Sequence, residues 1–293
     1  MEKILFVYNP ASGKRNITTY LDRIIGIFTE EGKLPTLYRI DKSNQQSIED
    51  VIKQNDFDGI VVAGGDGSVN TIIKILIDTG IDIPVGVIPT GTCNDFSRSL
   101  GMPNDLLRCA RLIAQGKYIE TDIGIINDGE MIFVNELAGG VLVSVSFSTD
   151  QNLKKMFGPL AYYINGIGEL TNIKPFELKI TTPENEYCEK ALIFVVLNGS
   201  DMSGFSNVIK EAQMQDGYMD ILVFKNKNPI EITDSLLKFV SGGNFKDENV
   251  IRIKTKECTI SCDSDIMTTV DGEKGPDLPL KLEMKRQAVK IYC

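Results

Sequence analysis

The feature that most constrains the fold is an aliphatic run followed at once by a glycine-rich turn and a helical pattern. Residues 59–63 read Gly-Ile-Val-Val-Ala, residues 64–70 read Gly-Gly-Asp-Gly-Ser-Val-Asn, and apolar residues then recur at helical spacing. Such a run is typical of a strand buried on both faces. The first amides of the following helix have no partner within it, and glycine lets a phosphate approach them. By itself the segment is equally typical of a strand-to-helix turn with an Asp cap.

The first 125 residues repeat this alternation of strand and helix, which predicts a mostly parallel sheet with helices on both faces. The predicted strands are Ile4–Tyr8, Thr36–Ile40, Gly59–Ala63 and Ile83–Ile88, and the predicted helices are Ile17–Phe28, Ser47–Gln54, Asn94–Leu100 and Asp105–Gln115. Ligands bind such sheets at the carboxyl ends of the strands. Three of the strands end in polar or glycine-rich loops, at residues 9–14, 64–68 and 89–95. We therefore predict a nucleotide site at that edge.

From Tyr118 onward the sequence changes to short strand-like runs separated by turn residues, which predicts an antiparallel sandwich or barrel. The runs are Tyr118–Ile126, Met131–Leu137, Phe176–Thr181, Ala191–Asn198, Tyr218–Phe224, Val250–Thr255, Cys258–Ser261, Ile266–Val270 and Val289–Tyr292, with helical patterns at Pro159–Thr171 and Ile230–Val240. The simplest organisation is an α/β domain over residues 1–125 and a β-rich, sandwich-like domain over residues 126–293, with a cleft between them.

Charge and residue usage narrow the classes of function. The chain has 31 Lys and Arg against 40 Asp and Glu, and this acidic balance argues against a nucleic-acid-binding protein. It has no histidine, which excludes a Ser-His-Asp triad and leaves general-base chemistry to Asp or Glu. The six cysteines form no C-x-x-C pair and fit free thiols in a reducing cytoplasm. No apolar run approaches the length of a bilayer span, so we expect a cytoplasmic protein, with peripheral contact at the inner face of the membrane left open.

Six short motifs occur in order along nearly the whole chain. They are Asn-Pro-x-Ser-Gly at 9–13, Gly-Gly-Asp-Gly-Ser-x-Asn at 64–70, Pro-x-Gly-Thr-x-Asn-Asp-Phe at 89–96, Asn-x-x-Ala-Gly-Gly at 135–140, Asp-Gly-Tyr at 216–218 and Val-Asp-Gly-Glu at 270–273. Neither the Walker A motif nor the dinucleotide fingerprint is present. Together the motifs resemble those of the bacterial diacylglycerol-kinase-like lipid kinases, which are related to the sphingosine kinases. The resemblance implies ATP- and Mg²⁺-dependent phosphorylation of a lipid hydroxyl, with diacylglycerol as the expected acceptor and the active site in the interdomain cleft.

The resemblance also assigns roles to residues. The residues expected to bind ATP are Asn9, Pro10, Ala11, Ser12, Gly13, Gly64, Gly65, Asp66, Gly67, Ser68, Val69, Asn70 and Thr92. Asp66 and Asp95 would belong to the Mg²⁺ and water network, and a second, structural Mg²⁺ would bind the Asp216 side chain with backbone carbonyls near Gln213 and Tyr218.

Asp271 and Glu273 are the expected catalytic pair of the second domain. Alternate residues of an extended segment point the same way, so one carboxylate would orient metal-bound water while the other accepts the lipid proton. The resemblance places the proton acceptor in this Asp-Gly-Glu, and Glu273 is narrowly favoured. The alternative is a plain hairpin turn, for which Asp-Gly is a common signal.

Two other functions remain open from the sequence. An NAD kinase shares the Gly-Gly-Asp motif and uses an Asn-Glu pair, here Asn135-Glu136, and a non-catalytic nucleotide-binding regulator would need the same first domain. Two residues depart from those expected in relatives. Ile40 stands where Thr is common, so a contact with the nucleotide would be lost. Asn165 stands where Lys is common, so one positive charge would be missing. Strand edges of the second domain leave open a homodimer.

Overall fold

The structure is a computed structural model that describes residues 1–10, 17–41, 47–140, 174–202, 205–241 and 247–293. It divides into two compact units, one formed by Met1–Thr121 with Gln287–Cys293 and the other by Asp122–Arg286. The last seven residues therefore belong to the first unit, whereas the sequence placed them with residues 126–293. The helix predicted at Pro159–Thr171 and the departure at Asn165 lie outside the described residues, and the expected cleft stays a prediction.

The first unit is a parallel sheet flanked by helices, as predicted. Its strands are β1 (Glu2–Tyr8), β2 (Lys33–Arg39), β3 (Gly59–Gly64) and β4 (Val85–Pro89). They lie in the order β2-β1-β3-β4, and every neighbouring pair is parallel. All residues of β3 are buried, which confirms the interpretation of its aliphatic run.

The C-terminal residues join this sheet beside β4. The last strand of the chain, β15 (Leu280–Tyr292), is much longer than the run predicted at Val289–Tyr292, and its Ile291 pairs in parallel with Val85. Tyr292 packs against Gly59, where a Cβ would lie 2.6 Å from the tyrosine hydroxyl. Burial raises the pKa of Tyr292 to about 12, with the nearby acidic groups of Glu2 and Asp58 adding to the effect.

Local signals define the helices of the first unit. They are α1 (Ile17–Glu30), α2 (Ile48–Gln54), α3 (Asp66–Thr79), α4 (Asp95–Ser99) and α5 (Leu106–Ala114). The Ser47 hydroxyl accepts a hydrogen bond from the Asp50 amide at 3.1 Å, and the Asp105 carboxylate accepts one from the Arg108 amide at 2.8 Å. Gly80 ends α3 in the left-handed conformation with φ of 69°. The apolar faces of α1 and α5 pack with β1 and β3 in one core.

The second unit is built mainly from antiparallel strands. Its strands are β5 (Tyr118–Ile126, which starts in the first unit), β6 (Met131–Phe133), β7 (Glu136–Gly140), β8 (Phe176–Thr181), β9 (Glu186–Leu197), β10 (Met219–Lys225), β11 (Val250–Thr255), β12 (Glu257–Cys262), β13 (Thr268–Val270), β14 (Glu273–Lys274) and the beginning of β15. The order is β14-β13-β7-β9-β8-β12-β15, with β10 pairing β9 and β11, and β5 pairing β15 and β6. A helix, α6 (Pro229–Ser241), follows β10.

The long strand β9 separates two apolar layers. Phe194 and Val196 belong to one buried cluster, and Ile193, Val195 and Leu197 belong to the other. Successive side chains of a strand point to opposite faces, so this strand is covered on both sides. The layers agree with the sandwich-like architecture expected from the sequence.

The single strand predicted over Met131–Leu137 is wrong. The structure divides it into β6 and β7, with Val134 and Asn135 between them. The amides of Val134, Asn135 and Glu136 donate to the Asp271 carboxylate instead of to a neighbouring strand, at 2.8, 2.9 and 3.0 Å. Because this acceptor lies far along the chain, the local apolar pattern could not reveal the break.

In the part of the chain that the structure describes, no helix has both the length and the apolar character needed to cross a membrane.

Replacement of Gly86 tests the packing of the first unit. A Cβ at Gly86 in β4 would lie 2.7 Å from Cγ2 of the buried Ile113, a stiff β-branched side chain. We expect Gly86→Ala to lower the free energy of unfolding by about 1–3 kcal/mol. The matched control is Gly26→Ala in α1, where a Cβ meets nothing within 4 Å, and it should be neutral or stabilise by up to about 1 kcal/mol. Urea denaturation measures both variants, and equal effects would contradict the packing.

Candidate functional site

Three predicted loops leave the same edge of the parallel sheet. Tyr8 at the end of β1 pairs with Ala63, and Gly64 at the end of β3 pairs with Pro89 at the end of β4. The Asn9 amide donates to the Ala63 carbonyl at 3.1 Å, and the Thr90 amide donates to the Gly64 carbonyl at 3.0 Å. The structure thus brings together Asn9, Pro10, the loop at 64–70 and the loop containing Thr92. Ala11, Ser12 and Gly13 lie outside the described residues.

Glycine is required where two of these loops meet and where one of them folds back on itself. A Cβ at Gly91 would lie only 2.5 Å from the Gly65 Cα, and a Cβ at Gly64 would lie 2.6 Å from the Ser68 Cβ. Real Cβ atoms do not approach backbone atoms so closely. The sequence interpretation, in which these glycines admit a phosphate, therefore omitted a steric requirement within the protein itself.

The start of α3 has two backbone amides without a hydrogen-bond acceptor among the described residues. Gly65 is its N-cap and forms no side-chain cap, and the amides of Ser68 and Val69 donate to the Gly65 carbonyl at 3.0 and 3.2 Å. The amides of Asp66 and Gly67 have no hydrogen-bond acceptor among the described residues. Unpaired amides and the helix dipole favour negative charge at this position, so the residues fit a phosphate group.

Asp66 and Asp95 lie at two adjacent helix starts. The Asp66 Oδ1 atom accepts a hydrogen bond from the Phe96 amide at 3.1 Å, which places Asp66 beside Asp95 in α4. Asp95 is 6% exposed and forms an ion pair with Arg98 one turn later in the same helix. Carboxylate oxygens are the ligands that Mg²⁺ prefers, so these two residues fit the predicted metal and water network.

Asn94 holds the loop that carries Thr92. Its backbone is left-handed with φ of 54°. Its side chain accepts a hydrogen bond from the Gly91 amide at 2.8 Å and donates one to the Gly91 carbonyl at 2.9 Å. Thr92, between them, is exposed. The Asn94 side chain thus holds the loop Gly91–Asn94 in a tight turn.

In the second unit, Asp271 lies in the turn between β13 and β14. Its φ is 47°, and its amide donates to the Glu136 carbonyl at 2.9 Å. Its carboxylate oxygens accept the three amide bonds described above, two at Oδ1 and one at Oδ2. Glu273 begins β14 opposite Val270, and its side chain is exposed. The hairpin that the sequence offered as an alternative does form, and it separates the environments of the two carboxylates.

Asp216 accepts hydrogen bonds in the turn before β10. Its Oδ1 accepts from the Tyr218 amide at 3.0 Å and its Oδ2 from the Lys254 ammonium at 2.6 Å. A carboxylate offers about four lone-pair positions, so both oxygens keep one position for a cation. With carbonyls at Gln213 and Tyr218 in the same turn, the donor set fits a Mg²⁺ ion that keeps several waters, in competition with Lys254. Among the described residues no cluster of three or more Cys, Asp or Glu side chains could hold a metal.

Sequence reasoning missed two buried polar residues next to these turns. Asp122 is fully buried, and its Oδ2 accepts from the Gly217 amide at 2.6 Å. Asn198 is 1% exposed, and its Nδ2 donates to the carbonyls of Asp122 and Val134 at 2.8 and 2.9 Å. The signal for Asp122 was one of two acidic residues in the strand Tyr118–Ile126, where Glu120 is the other. The only signal for Asn198 was its position as the polar last residue of the apolar run Ala191–Asn198.

Comparison with known proteins agrees with both units. Residues 3–126 match the family described as the diacylglycerol kinase catalytic domain. Residues 136–293 match the family described as the YegS C-terminal NAD kinase beta sandwich-like domain. Diacylglycerol kinase from Staphylococcus carnosus is 31% identical over 98% of this chain and 93% of its own length. Diacylglycerol kinase from Staphylococcus aureus strain MRSA252 is 32% identical over 98% of this chain and 91% of its own length.

Solved structures show the same architecture. A candidate diacylglycerol kinase from Bacillus anthracis strain Sterne superposes with a TM-score of 0.83 at 26% identity, covering 99% of this chain and 97% of its own. A second Bacillus anthracis structure, of a diacylglycerol kinase, has a TM-score of 0.77 at 23% identity over 99% of this chain and 96% of its own, and it shows the fold alone. On the family matches and the relatives over nearly its whole length, the chain belongs to the diacylglycerol kinase family of lipid kinases.

Proposed function

We propose that this protein is an ATP- and Mg²⁺-dependent kinase that phosphorylates the primary hydroxyl of diacylglycerol to give phosphatidic acid. The observation that carries the proposal is the juxtaposition, in the first unit, of the open amides of α3 with Asp66 and Asp95. Phosphoryl transfer needs mainly positioning and neutralisation of charge. Amides that would bind a phosphate, beside two carboxylates that would bind Mg²⁺, would supply both the positioning and the neutralisation.

The first unit would bind the nucleotide. The Asp66 and Gly67 amides would donate to phosphate oxygens, and the loops at Asn9 and Thr92 would flank them. Asp66 and Asp95 would hold Mg²⁺, which when bound offsets the negative charge of the phosphates. Asp66 would otherwise repel a phosphate, so its presence at the helix start supports a metal there.

The second unit would supply the proton acceptor, and the contacts favour Glu273 over Asp271. Both oxygens of Asp271 accept backbone amides, and protonation would weaken charge-assisted bonds worth about 1.5–3 kcal/mol each. The side chain of Glu273 is exposed, and its carboxylate has no hydrogen bond among the described residues. Glu273 therefore takes the hydroxyl proton in the proposed reaction, while Asp271 fixes the turn from which Glu273 projects. Asp216 with the carbonyls near Gln213 and Tyr218 would bind the second Mg²⁺.

The NAD kinase alternative rests on the Asn135-Glu136 pair and on the description of the second family match. In this chain Asn135 and Glu136 are buried residues, only 3% and 7% exposed. Their backbone amides are taken by Asp271. This burial leaves the pair little surface for a ligand, which favours the lipid kinase.

A transfer assay tests the proposed function. Purified protein with labelled ATP and Mg²⁺ is expected to phosphorylate diacylglycerol in mixed vesicles, and chelation of Mg²⁺ should stop the reaction. Monoacylglycerol, sphingosine and NAD are supplied in parallel. Phosphorylation of NAD but of no lipid would favour the NAD kinase. ATP binding without transfer to any acceptor would favour a non-catalytic regulator.

Replacement of Glu273 tests the proton acceptor. We expect Glu273→Gln to lower kcat by about 10²–10⁴-fold, the range typical of a lost general base, with KM for ATP unchanged. Lys274→Gln, at the exposed neighbouring position of β14, is the control and should keep full kcat. A Glu273→Gln enzyme as fast as the control would mean that another group accepts the proton.

Replacement of Asp271 tests its separate role in the turn. Asp271→Asn puts an NH₂ group where an amide donor needs an acceptor, so we expect the free energy of unfolding to fall by about 2 kcal/mol. Asp265→Asn removes an exposed carboxylate that has no hydrogen bond among the described residues, and it should change stability little. Urea unfolding compares the two. Loss of activity in Asp271→Asn at unchanged stability would instead make Asp271 the proton acceptor.

A further inference from the structure

We propose that Asn198 is a positioning residue for phosphoryl transfer, which acts on Glu273 through the backbone of Val134–Glu136 and the turn at Asp271. The inference rests on the proposed function, because it concerns the same proton acceptor. Asn198 itself is 1% exposed. It therefore acts on the reaction only through the groups that it holds.

The contacts of Asn198 fix its side chain and its neighbours in one arrangement. It follows the last residue of β9. Its Nδ2 donates to the carbonyls of Asp122 and Val134, and its own amide donates to the Asn135 carbonyl at 2.9 Å. Only the NH₂ end of the side chain can serve two carbonyls, so the orientation of the amide is determined.

The segment that Asn198 binds is the segment that binds Asp271. The Val134 carbonyl faces Asn198 and the Val134 amide donates to Asp271. Asn135 is held in the same way, through its carbonyl and its amide. Val134 and Asn135 are thus hydrogen-bonded to Asn198 through their carbonyls and to the Asp271 carboxylate through their amides. A shift of this segment would move the turn, and Glu273 lies two residues beyond Asp271.

A second branch joins Asn198 to the Asp216 turn. The Nδ2 group that bonds Val134 also bonds the Asp122 carbonyl, and the Asp122 carboxylate accepts the Gly217 amide. The Asp122 amide donates to the Met214 carbonyl at 2.7 Å. Asn198 therefore touches the backbone segments that anchor both Asp-Gly turns to which the sequence assigned chemistry.

The amide oxygen of Asn198 argues against a purely stabilising role. This atom is buried and has no hydrogen-bond donor among the described residues. A buried acceptor without a donor destabilises a fold. The side chain thus leaves one buried acceptor without a donor, while its NH₂ group bonds the carbonyls of Asp122 and Val134. This combination fits a residue that fixes the positions of these two backbone segments.

Asn198→Leu tests the inference, because leucine has a similar size and no donor. We expect kcat with diacylglycerol to fall about tenfold to a hundredfold while KM for ATP is unchanged, since small displacements of a reacting group have effects of this order. The matched control is Ser235→Ala in α6. The Ser235 hydroxyl is fully buried and donates to Asp247 at 3.0 Å in the same unit, so its loss should lower the melting temperature and leave kcat intact.

Two further readouts separate positioning from stability. Amide hydrogen exchange in the peptide spanning Val134–Glu136 should be faster in Asn198→Leu and unchanged in Ser235→Ala. In Asn198→Asp, burial should raise the pKa of the new carboxyl, and its protonated form keeps one O–H donor. The kcat of this variant should therefore recover partly as pH falls, whereas that of Asn198→Leu should stay low relative to the unsubstituted protein at each pH.

Failure of the proposed function and failure of the role of Asn198 give different results. No transfer to any lipid by the unsubstituted protein would overturn the proposed function. Full kcat in Asn198→Leu, or the same loss in Ser235→Ala, would overturn the role of Asn198 while the kinase assignment stands. Unchanged exchange at Val134–Glu136 would also overturn it, because the segment would then be held without Asn198.

Discussion

The second unit depends on one carboxylate that binds three consecutive backbone amides. Asp271 accepts the amides of Val134, Asn135 and Glu136, and in doing so it ends β6, starts β7 and fixes the β13–β14 hairpin. Buried amides without acceptors are costly, so these strand ends exist because Asp271 is there. The same bonds engage both of its oxygens, whereas Glu273, two residues away, has an exposed side chain.

In the first unit the corresponding constraint is steric. The loops after β3 and β4 meet at Gly65 and Gly91, where a Cβ on Gly91 would lie 2.5 Å from the Gly65 Cα. That approach lets the Asp66 carboxylate accept the Phe96 amide and lie beside Asp95. A motif that looks like a ligand-binding sequence is thus also a packing sequence, and the two demands fall on the same glycines.

The second unit uses two buried polar residues to connect distant strands and turns. Asp122 and Asn198 carry hydrogen bonds between strands and turns that are distant in sequence. Neither residue stood out in the sequence, because a polar residue in a strand pattern shows neither its hydrogen-bond partners nor its orientation. Asp66 and Asp271 were easier to recognise because they lie within glycine-containing motifs.

The sequence by itself determined the parallel sheet of the first unit, the loops at its carboxyl edge and the β-rich character of the second unit. These follow from local periodicity and from glycine and proline at strand ends, which act over a few residues. It also placed Asp271 and Glu273 next to each other without separating their roles. Only the tertiary structure decided that Asp271 is bound by amides 135 to 137 positions earlier in the chain, that the run at 131–137 is broken, and that the C-terminal strand joins the first sheet. Those outcomes depend on which distant backbone groups remain unpaired, and no local pattern of residues encodes that.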